Sequence, residues 1–255
     1  MDLNALLPAV LDIARRAGRE IMKIYETDFD VSRKDDRSPL TAADLAANTV
    51  IVAGLRAMQP QYPILSEESA SVPYAERSRW NPYWLVDPLD GTKEFVSRNG
   101  EFTVNIALVE HGNPVLGLVL VPVDGTAYGA AGPGTARRWR GGGPPEAIAA
   151  RRTPPEGLTV VHSRSHENNA ALARYLADKR VAALRVSGSS VKFCLTAAGE
   201  ADLYPRFGPT MEWDTAAGHA VLLAAGGSVE THDGAPLGYG KSGFANPGFI
   251  ARGLR

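Results

Sequence analysis

Residues 83–95 have the sequence YWLVDPLDGTKEF, in which an apolar run meets two carboxylates. The run ends at Asp87, and Pro88 disfavours helical angles in the residue before it, so Asp87 is predicted to be the last residue of a strand. Gly91 and Thr92 then place free backbone N–H groups behind the carboxylates, and such a turn can hold an anion. The stretch therefore predicts a corner where a cation and a phosphate could bind together.

Two interpretations of this corner remain open. In the first, Asp87 is a helix N-cap, Pro88 stands at N1, and Asp90 at N3 completes a capping pair. In the second, both acids belong to a cluster, because Gly91 is a poor residue for a helix interior. Further acids follow the ends of other predicted elements, namely Glu67, Glu68 and Asp214. Their similar settings favour the cluster.

The composition is that of a globular protein with a small-molecule ligand. At 255 residues with 44% hydrophobic content, the chain can form one large domain or two ordinary ones. Its 27 basic and 28 acidic residues give a net charge of −1, so no general field attracts a nucleic-acid polymer or an anionic membrane. The most apolar segment, 115–121, is far shorter than the roughly 20 residues of a membrane-spanning helix. We expect a small-molecule ligand, no nucleic-acid polymer and no integral membrane segment.

The expected location is the cytoplasm. The single Cys194 excludes an internal disulfide. The N-terminal residues lack the basic start and long apolar core of a signal peptide. Peripheral association with the inner face of the membrane stays open.

Hydrophobic spacing predicts the elements of the N-terminal half. Apolar residues recur at helical spacing over about residues 3–26. Thr41 can cap a second helix that runs to about Met58, and a capping box is then the alternative to a ligand role for Asp44. The apolar runs 102–109 and 115–121 predict an antiparallel hairpin, which a strand at 128–131 extends.

A stretch rich in Gly, Pro and Arg, residues 132–157, predicts a boundary between two domains, 1–145 and 146–255. Its arginines lack the interleaved aromatic residues of a nucleic-acid surface, which favours a solvated loop.

Strands and helices alternate in the second half, which implies an α/β layer with helices covering a sheet. The predicted strands are 158–162, 181–186, 201–204 and 228–230, and the predicted helices are 167–177, 190–198 and 215–225. Ligands gather at strand ends and helix N-termini of such layers. Polar groups suited to a nucleotide or phosphate occur there in the loops 163–166 and 188–190, at Lys192 and at Arg206. The alternative to a ligand role is that Ser189 caps the helix and that Lys192 and Arg206 are surface charges.

Clustered carboxylates repel one another unless they are protonated or a cation lies among them. Oxygen ligands without a Cys or His cluster favour Mg²⁺, which binds carboxylates, phosphate oxygens and water. The implied chemistry is phosphoryl transfer to water, with Thr92 beside the acids to orient that water. The five histidines lack zinc spacing, no G-x-S-x-G elbow occurs, and the sequence GKS at 240–242 lacks the earlier glycine of a P-loop.

Three motifs together resemble those of the inositol monophosphatase superfamily: EE at 67–68, DPLDGT at 87–92 and WDTAAG at 213–218. Within that superfamily, KEF at 93–95, GSSVKFC at 188–194 and LYPRFGPT at 203–210 resemble the 3'(2'),5'-bisphosphate nucleotidases of bacterial sulfur assimilation. The resemblance covers nearly the whole chain and is weakest at 132–157 and after Asp233. It implies a layered αβαβα sandwich, with an α+β first half that binds metal and an α/β second half that completes the substrate site.

The resemblance also implies a catalytic centre. Two or three Mg²⁺ ions would be held by Glu67, Asp87, the backbone carbonyl of Leu89, Asp90 and Asp214. Glu67 and Thr92 would activate the water, while Asp44 would belong to a further, weaker metal site.

The implied substrate contacts lie on both sides of that centre. The phosphate to be released would lie on Gly91 and Thr92. Ser189, Lys192 and Arg206 would hold the second phosphate, and His166 would lie near the base.

The implied activity is hydrolysis of the 3'-phosphate of adenosine 3',5'-bisphosphate, and of 3'-phosphoadenosine 5'-phosphosulfate, by a lithium-sensitive enzyme. A phosphatase for inositol or sugar phosphates and a cation-dependent binding protein remain alternatives. Monomer and homodimer are both open.

Overall fold

The computed structural model describes residues 2–27, 39–164 and 169–254. The helices within these residues are α1 Leu3–Tyr25, α2 Pro39–Ala57, α3 Tyr74–Arg77, α4 Thr92–Val96, α5 Asn169–Leu176, α6 Val191–Ala197 and α7 Glu212–Ala224. The strands are β1 Ile64–Ser66, β2 Tyr83–Asp90, β3 Thr103–Glu110, β4 Asn113–Leu120, β5 Ala127–Ala131, β6 Arg137–Trp139, β7 Glu146–Ala147, β8 Leu158–His162, β9 Val181–Val186, β10 Leu203–Arg206, β11 Ser228–Thr231 and β12 Phe249–Arg252. None of the helices is long and apolar enough to cross a membrane.

The first half of the chain forms a seven-stranded sheet in the order β1-β2-β3-β4-β5-β6-β7. Strand β1 pairs with β2 in parallel, and the remaining neighbours are antiparallel. Alternate residues of β2 pack on opposite faces, because successive side chains of a strand point to opposite sides. Trp84 and Val86 pack with α1 and α2, whereas Tyr83 and Leu85 pack with α7. Burial on both faces explains why these strands are almost continuously apolar.

The second half forms a five-stranded sheet in the order β11-β12-β10-β8-β9. One of its faces packs on α6 and α7, as Phe193 stacks on Phe249 of β12. The other face packs on α5 through Leu172, Val160 and Leu203. The layers are therefore α1 and α2, the first sheet, α6 and α7, the second sheet, and α5. This is the predicted αβαβα sandwich.

Several predicted bounds are wrong, and β12 was not predicted. Strand β12 lies antiparallel between β11 and β10, so the second sheet is mixed rather than a simple alternating layer. Helix α2 already includes Pro39, so Thr41 is not its N-cap. Helix α7 begins at Glu212, three residues before the predicted start. Strand β10 continues to Arg206 rather than ending at Tyr204.

The stretch rich in Gly, Pro and Arg contains two short strands that extend the first sheet. Strand β6 pairs with β5, and β7 pairs with β6. Arg138 forms ion pairs with Glu146 and Glu200. The sheet thus runs to Ala147, close to the predicted boundary, while the division into domains 1–145 and 146–255 stays a prediction.

Candidate active site

Three carboxylates meet where β2 ends and α7 begins. Oxygens of Asp87, Asp90 and Asp214 lie within 4.8 Å of one another. Residues three apart point to opposite faces of a regular strand. However, the pairing of β2 with β3 shifts register between Asp87 and Asp90. Such an irregularity changes the direction of the side chains, so both carboxylates can point to the same site.

The capping interpretation of Asp87 and Asp90 is wrong. The helix that follows them begins at Thr92, with Gly91 as its N-cap residue. Asp87 instead accepts a hydrogen bond from the Leu89 N–H at 3.1 Å. Strand β2 continues through Asp90, so Asp87 is not the last strand residue either. Asp214 does act within a helix start, as its Oδ2 accepts the Met211 N–H at 2.8 Å.

Crowding and burial oppose ionisation of these acids. Burial, followed by repulsion from Asp90 and Asp214, raises the pKa of Asp87 well above its usual value. Burial and then Asp90 raise the pKa of Asp214 to about 7. Burial also raises the pKa of Asp90, although Lys192 and hydrogen bonds from Ser190 partly offset it. A cation among the three acids would remove this repulsion, so the donor set fits a hard metal ion.

A second group of acids adjoins the first. Burial, then Glu68 and Glu67, raises the pKa of Asp44 to about 8. The Asp44 Oδ1 atom is buried and has no hydrogen-bond partner among the described residues. Burial and repulsion from Glu68 and Asp90 raise the pKa of Glu67, although its hydrogen bond with Asp87 opposes the rise. Glu67 therefore links Asp44 to the three-acid cluster, and the unpartnered oxygen fits a further cation ligand.

The turn at Gly91 joins this centre to the second half of the chain. Gly91 has φ +94°, a left-handed conformation that favours glycine. A Cβ atom there would lie 3.2 Å from Phe102 Cα and 3.3 Å from both Glu101 O and Ser189 Cβ. Thr92 follows at the first turn of α4 with its side chain exposed. The tight packing sets the turn against Ser189 while Thr92 faces solvent.

A cleft of about 610 Å³ extends from the acids into the second half of the chain. Its lining includes Asp90, Asp214, Gly91 and Thr92 at one end. Four cationic side chains also line it, namely Lys93, Arg164, Lys192 and Arg206. The cleft therefore joins an acidic end, suited to a cation, to basic walls that suit an anion.

Lys192 is buried behind the wall of this cleft and binds backbone carbonyls of that wall. Its side chain is 3% exposed, and its Nζ donates to Ser187 O at 3.1 Å and Ser189 O at 2.6 Å. Burial lowers its pKa to about 8, although Asp90 opposes that fall. Ser189 has φ +41° and a buried hydroxyl oxygen without a partner among the described residues. The predicted surface-charge role of Lys192 is thus wrong, and its amine orders the turn that presents Ser189.

Arg206 ends β10 and lines the same cleft. Its Nη2 donates to Pro209 O at 2.9 Å, and its Nε has no partner among the described residues. Tyr204, which also lines the cleft, is buried. His166 and Ser165 lie outside the described residues.

The contacts that Asp90 makes with Ser190 and Asn105 were not predicted from the sequence. Asp90 Oδ2 accepts from the Ser190 N–H at 2.8 Å and the Ser190 hydroxyl at 3.1 Å. Asn105 Nδ2 lies 3.4 Å from the same oxygen and donates to Ser190 Oγ at 2.9 Å. The available signal was a pair of polar residues, Thr103 and Asn105, at the start of an otherwise apolar strand.

The chain matches the model of the inositol monophosphatase family over residues 2–251. It is 50% identical to the 3'(2'),5'-bisphosphate nucleotidase CysQ of Escherichia coli (strain K12) over 248 residues, which is 96% of this chain and 98% of that protein. The crystal structure of CysQ from Bacteroides thetaiotaomicron is 43% identical with a TM-score of 0.88, covering 97% of this chain and 96% of that one. An inositol monophosphatase structure from Anabaena is 25% identical with a TM-score of 0.78, covering 100% and 92%. Together with the acidic centre and the layered fold, these matches identify the chain as a member of the inositol monophosphatase family.

Proposed function

We propose that this protein is a Mg²⁺-dependent 3'(2'),5'-bisphosphate nucleotidase, a phosphoric monoester hydrolase of sulfur assimilation. It removes the 3'-phosphate of adenosine 3',5'-bisphosphate to give AMP and phosphate, and acts similarly on 3'-phosphoadenosine 5'-phosphosulfate. The single observation that carries the proposal is the cleft, because its acidic end and basic walls suit a metal-bound phosphate and a second phosphate in one molecule. The nucleotidase CysQ is 50% identical to this chain, against 25% for the inositol monophosphatase, which favours the nucleotide over an inositol phosphate.

The proposed metal ligands are carboxylate and carbonyl oxygens. Glu67, Asp87, the Leu89 carbonyl, Asp90 and Asp214 hold two ions, and Asp44 belongs to a third, weaker site. Oxygen-only donors, the mutual repulsion of the acids and the unpartnered Asp44 oxygen support this assignment. When bound, Mg²⁺ supplies positive charge that offsets the charge of the transferred phosphate and of the leaving oxygen.

The protein groups then orient a water for attack. Glu67 accepts the proton of this water and the Thr92 hydroxyl aligns it with phosphorus. The new P–O bond forms as the bond from phosphorus to the ribose 3'-oxygen breaks. That oxygen takes a proton from solvent water and leaves as the nucleoside hydroxyl, and Glu67 returns its proton to solvent. The N–H groups at Gly91 and Thr92 hold the phosphate during this step.

The retained 5'-phosphate binds on the opposite side of the cleft. The Ser189 hydroxyl and the Arg206 guanidinium contact it, and Lys192 contributes charge from behind the Ser187–Ser190 turn. The unpartnered Ser189 Oγ and Arg206 Nε atoms support these contacts. His166 lies near the base.

The remaining properties follow from the same assignment. Li⁺ inhibits the enzyme by replacing a Mg²⁺ ion among oxygen ligands. The protein works in the cytoplasm on a small-molecule nucleotide. It consists of an N-terminal domain, 1–145, that binds metal and a C-terminal domain, 146–255, that completes the substrate site.

Phosphate release from a panel of substrates tests the proposal. The panel contains adenosine 3',5'-bisphosphate, 3'-AMP and inositol 1-phosphate, each with MgCl₂ and with EDTA. We expect the highest kcat/KM for the bisphosphate and no release in EDTA. Preference for inositol 1-phosphate, or equal release in EDTA, would contradict it.

A further inference from the structure

Glu101 lies between the turn at Gly91, next to the three acids, and the turn of residues 187–190, to which the 5'-phosphate is assigned. Its carbonyl oxygen approaches Gly91, and its carboxylate reaches Gly188 in the second half of the chain. Glu101 Oε2 accepts the Gly188 N–H at 2.7 Å and also accepts a hydrogen bond from Arg164. One residue thus contacts two walls of the cleft, through its backbone carbonyl and through its side chain.

Three side chains hold the backbone of the turn formed by residues 187–190. Lys192 donates to the carbonyls of Ser187 and Ser189, as described above. Asp90 accepts the Ser190 N–H, and Glu101 accepts the Gly188 N–H. The Ser189 hydroxyl, in contrast, has no partner among the described residues. The contacts therefore order the backbone of the turn and leave Ser189 Oγ for a ligand.

Gly188 fits so closely against Glu101 that the turn has little freedom to move toward it. A Cβ atom on Gly188 would lie 2.7 Å from Glu101 O and 2.9 Å from Glu101 Cβ. It would also lie 2.6 Å from Glu94 Cγ, and the Glu94 carboxylate is 3.9 Å from the Arg164 guanidinium. Loss of the Glu101 carboxylate would remove the hydrogen bond without filling the space that it occupies.

Glu101 is ionised in this arrangement. Burial raises its pKa, but the hydrogen bonds from Arg164 and from the Gly188 N–H outweigh burial and lower the pKa below its usual value. A charged acceptor binds an N–H group about twice as strongly as a neutral one. Arg164 also neutralises the carboxylate, which would otherwise repel a phosphate in the cleft.

We propose that Glu101, held by Arg164, is a positioning residue that sets the Ser187–Ser190 turn for the second phosphate of the substrate. This inference rests on the proposed function, since it assigns that turn to the 5'-phosphate. Glu101 is not among the groups assigned above to the reacting phosphate or to the water. Its replacement should therefore change recognition of the 5'-phosphate and leave the chemical step almost unchanged.

The experiment compares Glu101→Ala and Glu101→Gln with wild type and with the control Glu76→Ala, an exposed acid on α3. Titration calorimetry measures the Kd of AMP, which carries only the 5'-phosphate. Kinetics measure KM and kcat for adenosine 3',5'-bisphosphate and for 3'-AMP, which lacks the 5'-phosphate. Hydrogen exchange measures protection of the amides of residues 187–190.

For Glu101→Ala we expect the Kd of AMP and the KM of the bisphosphate to rise about 10-fold. This is the size of effect expected when the charge-assisted hydrogen bond that orders the turn, from the Gly188 N–H to Glu101, is lost. The kcat for the bisphosphate and the KM for 3'-AMP should stay within about 3-fold. Protection of residues 187–190 should fall. Glu101→Gln should restore much of this protection, because an amide oxygen still accepts the Gly188 N–H.

Equal losses with the bisphosphate and 3'-AMP, or unchanged amide protection in Glu101→Ala, would overturn the positioning role. A wild-type protein that does not hydrolyse the bisphosphate would instead overturn the proposed function. In that case hydrogen exchange still decides whether Glu101 holds the turn. The two failures are therefore distinguishable.

Discussion

Replacement of Asp90 by Asn should separate metal binding from folding. Oxygens of Asp87, Asp90 and Asp214 lie within 4.8 Å of one another, and two full charges at that distance repel by about 3.5 kcal/mol at an effective dielectric constant of about 20. Protons neutralise part of this charge, because the pKa values of all three acids are raised. An Asn oxygen can still accept the Ser190 N–H. We therefore expect the metal-free variant to gain on the order of 1–2 kcal/mol of unfolding free energy at about pH 8.5.

Thermal melts of metal-free protein in EDTA measure this gain, which corresponds to roughly 2–4 °C for a chain of this size. In MgCl₂ the order should reverse. A ligand that binds only the folded chain raises its stability, so wild type should gain from MgCl₂ while Asp90→Asn gains little. Phosphate release by the variant should fall by several orders of magnitude.

The control is Glu76→Gln, which removes an exposed acid of α3 that is not part of the three-acid cluster and should change stability by less than about 0.5 kcal/mol. An Asp90→Asn protein that melts below wild type in EDTA would refute the expected relief of repulsion. Equal stabilisation of both proteins by MgCl₂ would refute the role of Asp90 in metal binding.

Three further predictions concern the substrate, the metal and pH. Arg206→Ala should raise the KM for adenosine 3',5'-bisphosphate about 10- to 100-fold and barely change the KM for inositol 1-phosphate, as measured in initial-rate assays. Equal changes for the two substrates would show that Arg206 does not bind the second phosphate. LiCl should inhibit phosphate release at millimolar-range or lower concentrations, whereas KCl at matched ionic strength should not; similar inhibition by both salts would contradict this. The pKa of Asp44 is raised to about 8 and that of Asp214 to about 7, so between about pH 4 and about pH 7 these two carboxyl groups bind more protons in the folded state than in the unfolded state, and they outweigh the opposite effect of the buried His219 in the metal-free chain. Its melting temperature in EDTA should therefore fall as pH rises from about 5 to about 8.5, with less fall in Asp214→Asn; a constant or rising melting temperature would argue against the shifts.

The sequence by itself predicted the type and order of most elements. Apolar runs at 102–109 and 115–121 predict strands because both faces of the first sheet are covered, so that hardly any position needs a polar side chain. The helix at 3–26 is equally clear, since one of its faces packs on that sheet and the other meets solvent. The acids were also visible, because several carboxylates follow the ends of predicted elements in similar settings.

The sequence alone did not determine which elements become neighbours in the fold. Strand β12 lies in a tail with weak periodicity and is defined by pairing with β10 and β11, which are distant in sequence. Asp87 and Asp90 each had a local alternative as a helix cap, and only the register shift against β3 brings both toward Asp214. Non-local pairing of this kind is set by packing rather than by local propensity.

The same limit applies to Lys192 and Glu101. From sequence, Lys192 was a charge one turn into a helix and Glu101 was an unremarked acid in a loop. The tertiary structure buries Lys192 against the carbonyls of Ser187 and Ser189, and it places Glu101 on the Gly188 N–H from 87 residues away. The sequence thus determined which chemical groups are available and in what order, because local periodicity and residue type carry that information. Only the tertiary structure decided which groups meet, because contacts between distant segments depend on how the layers pack.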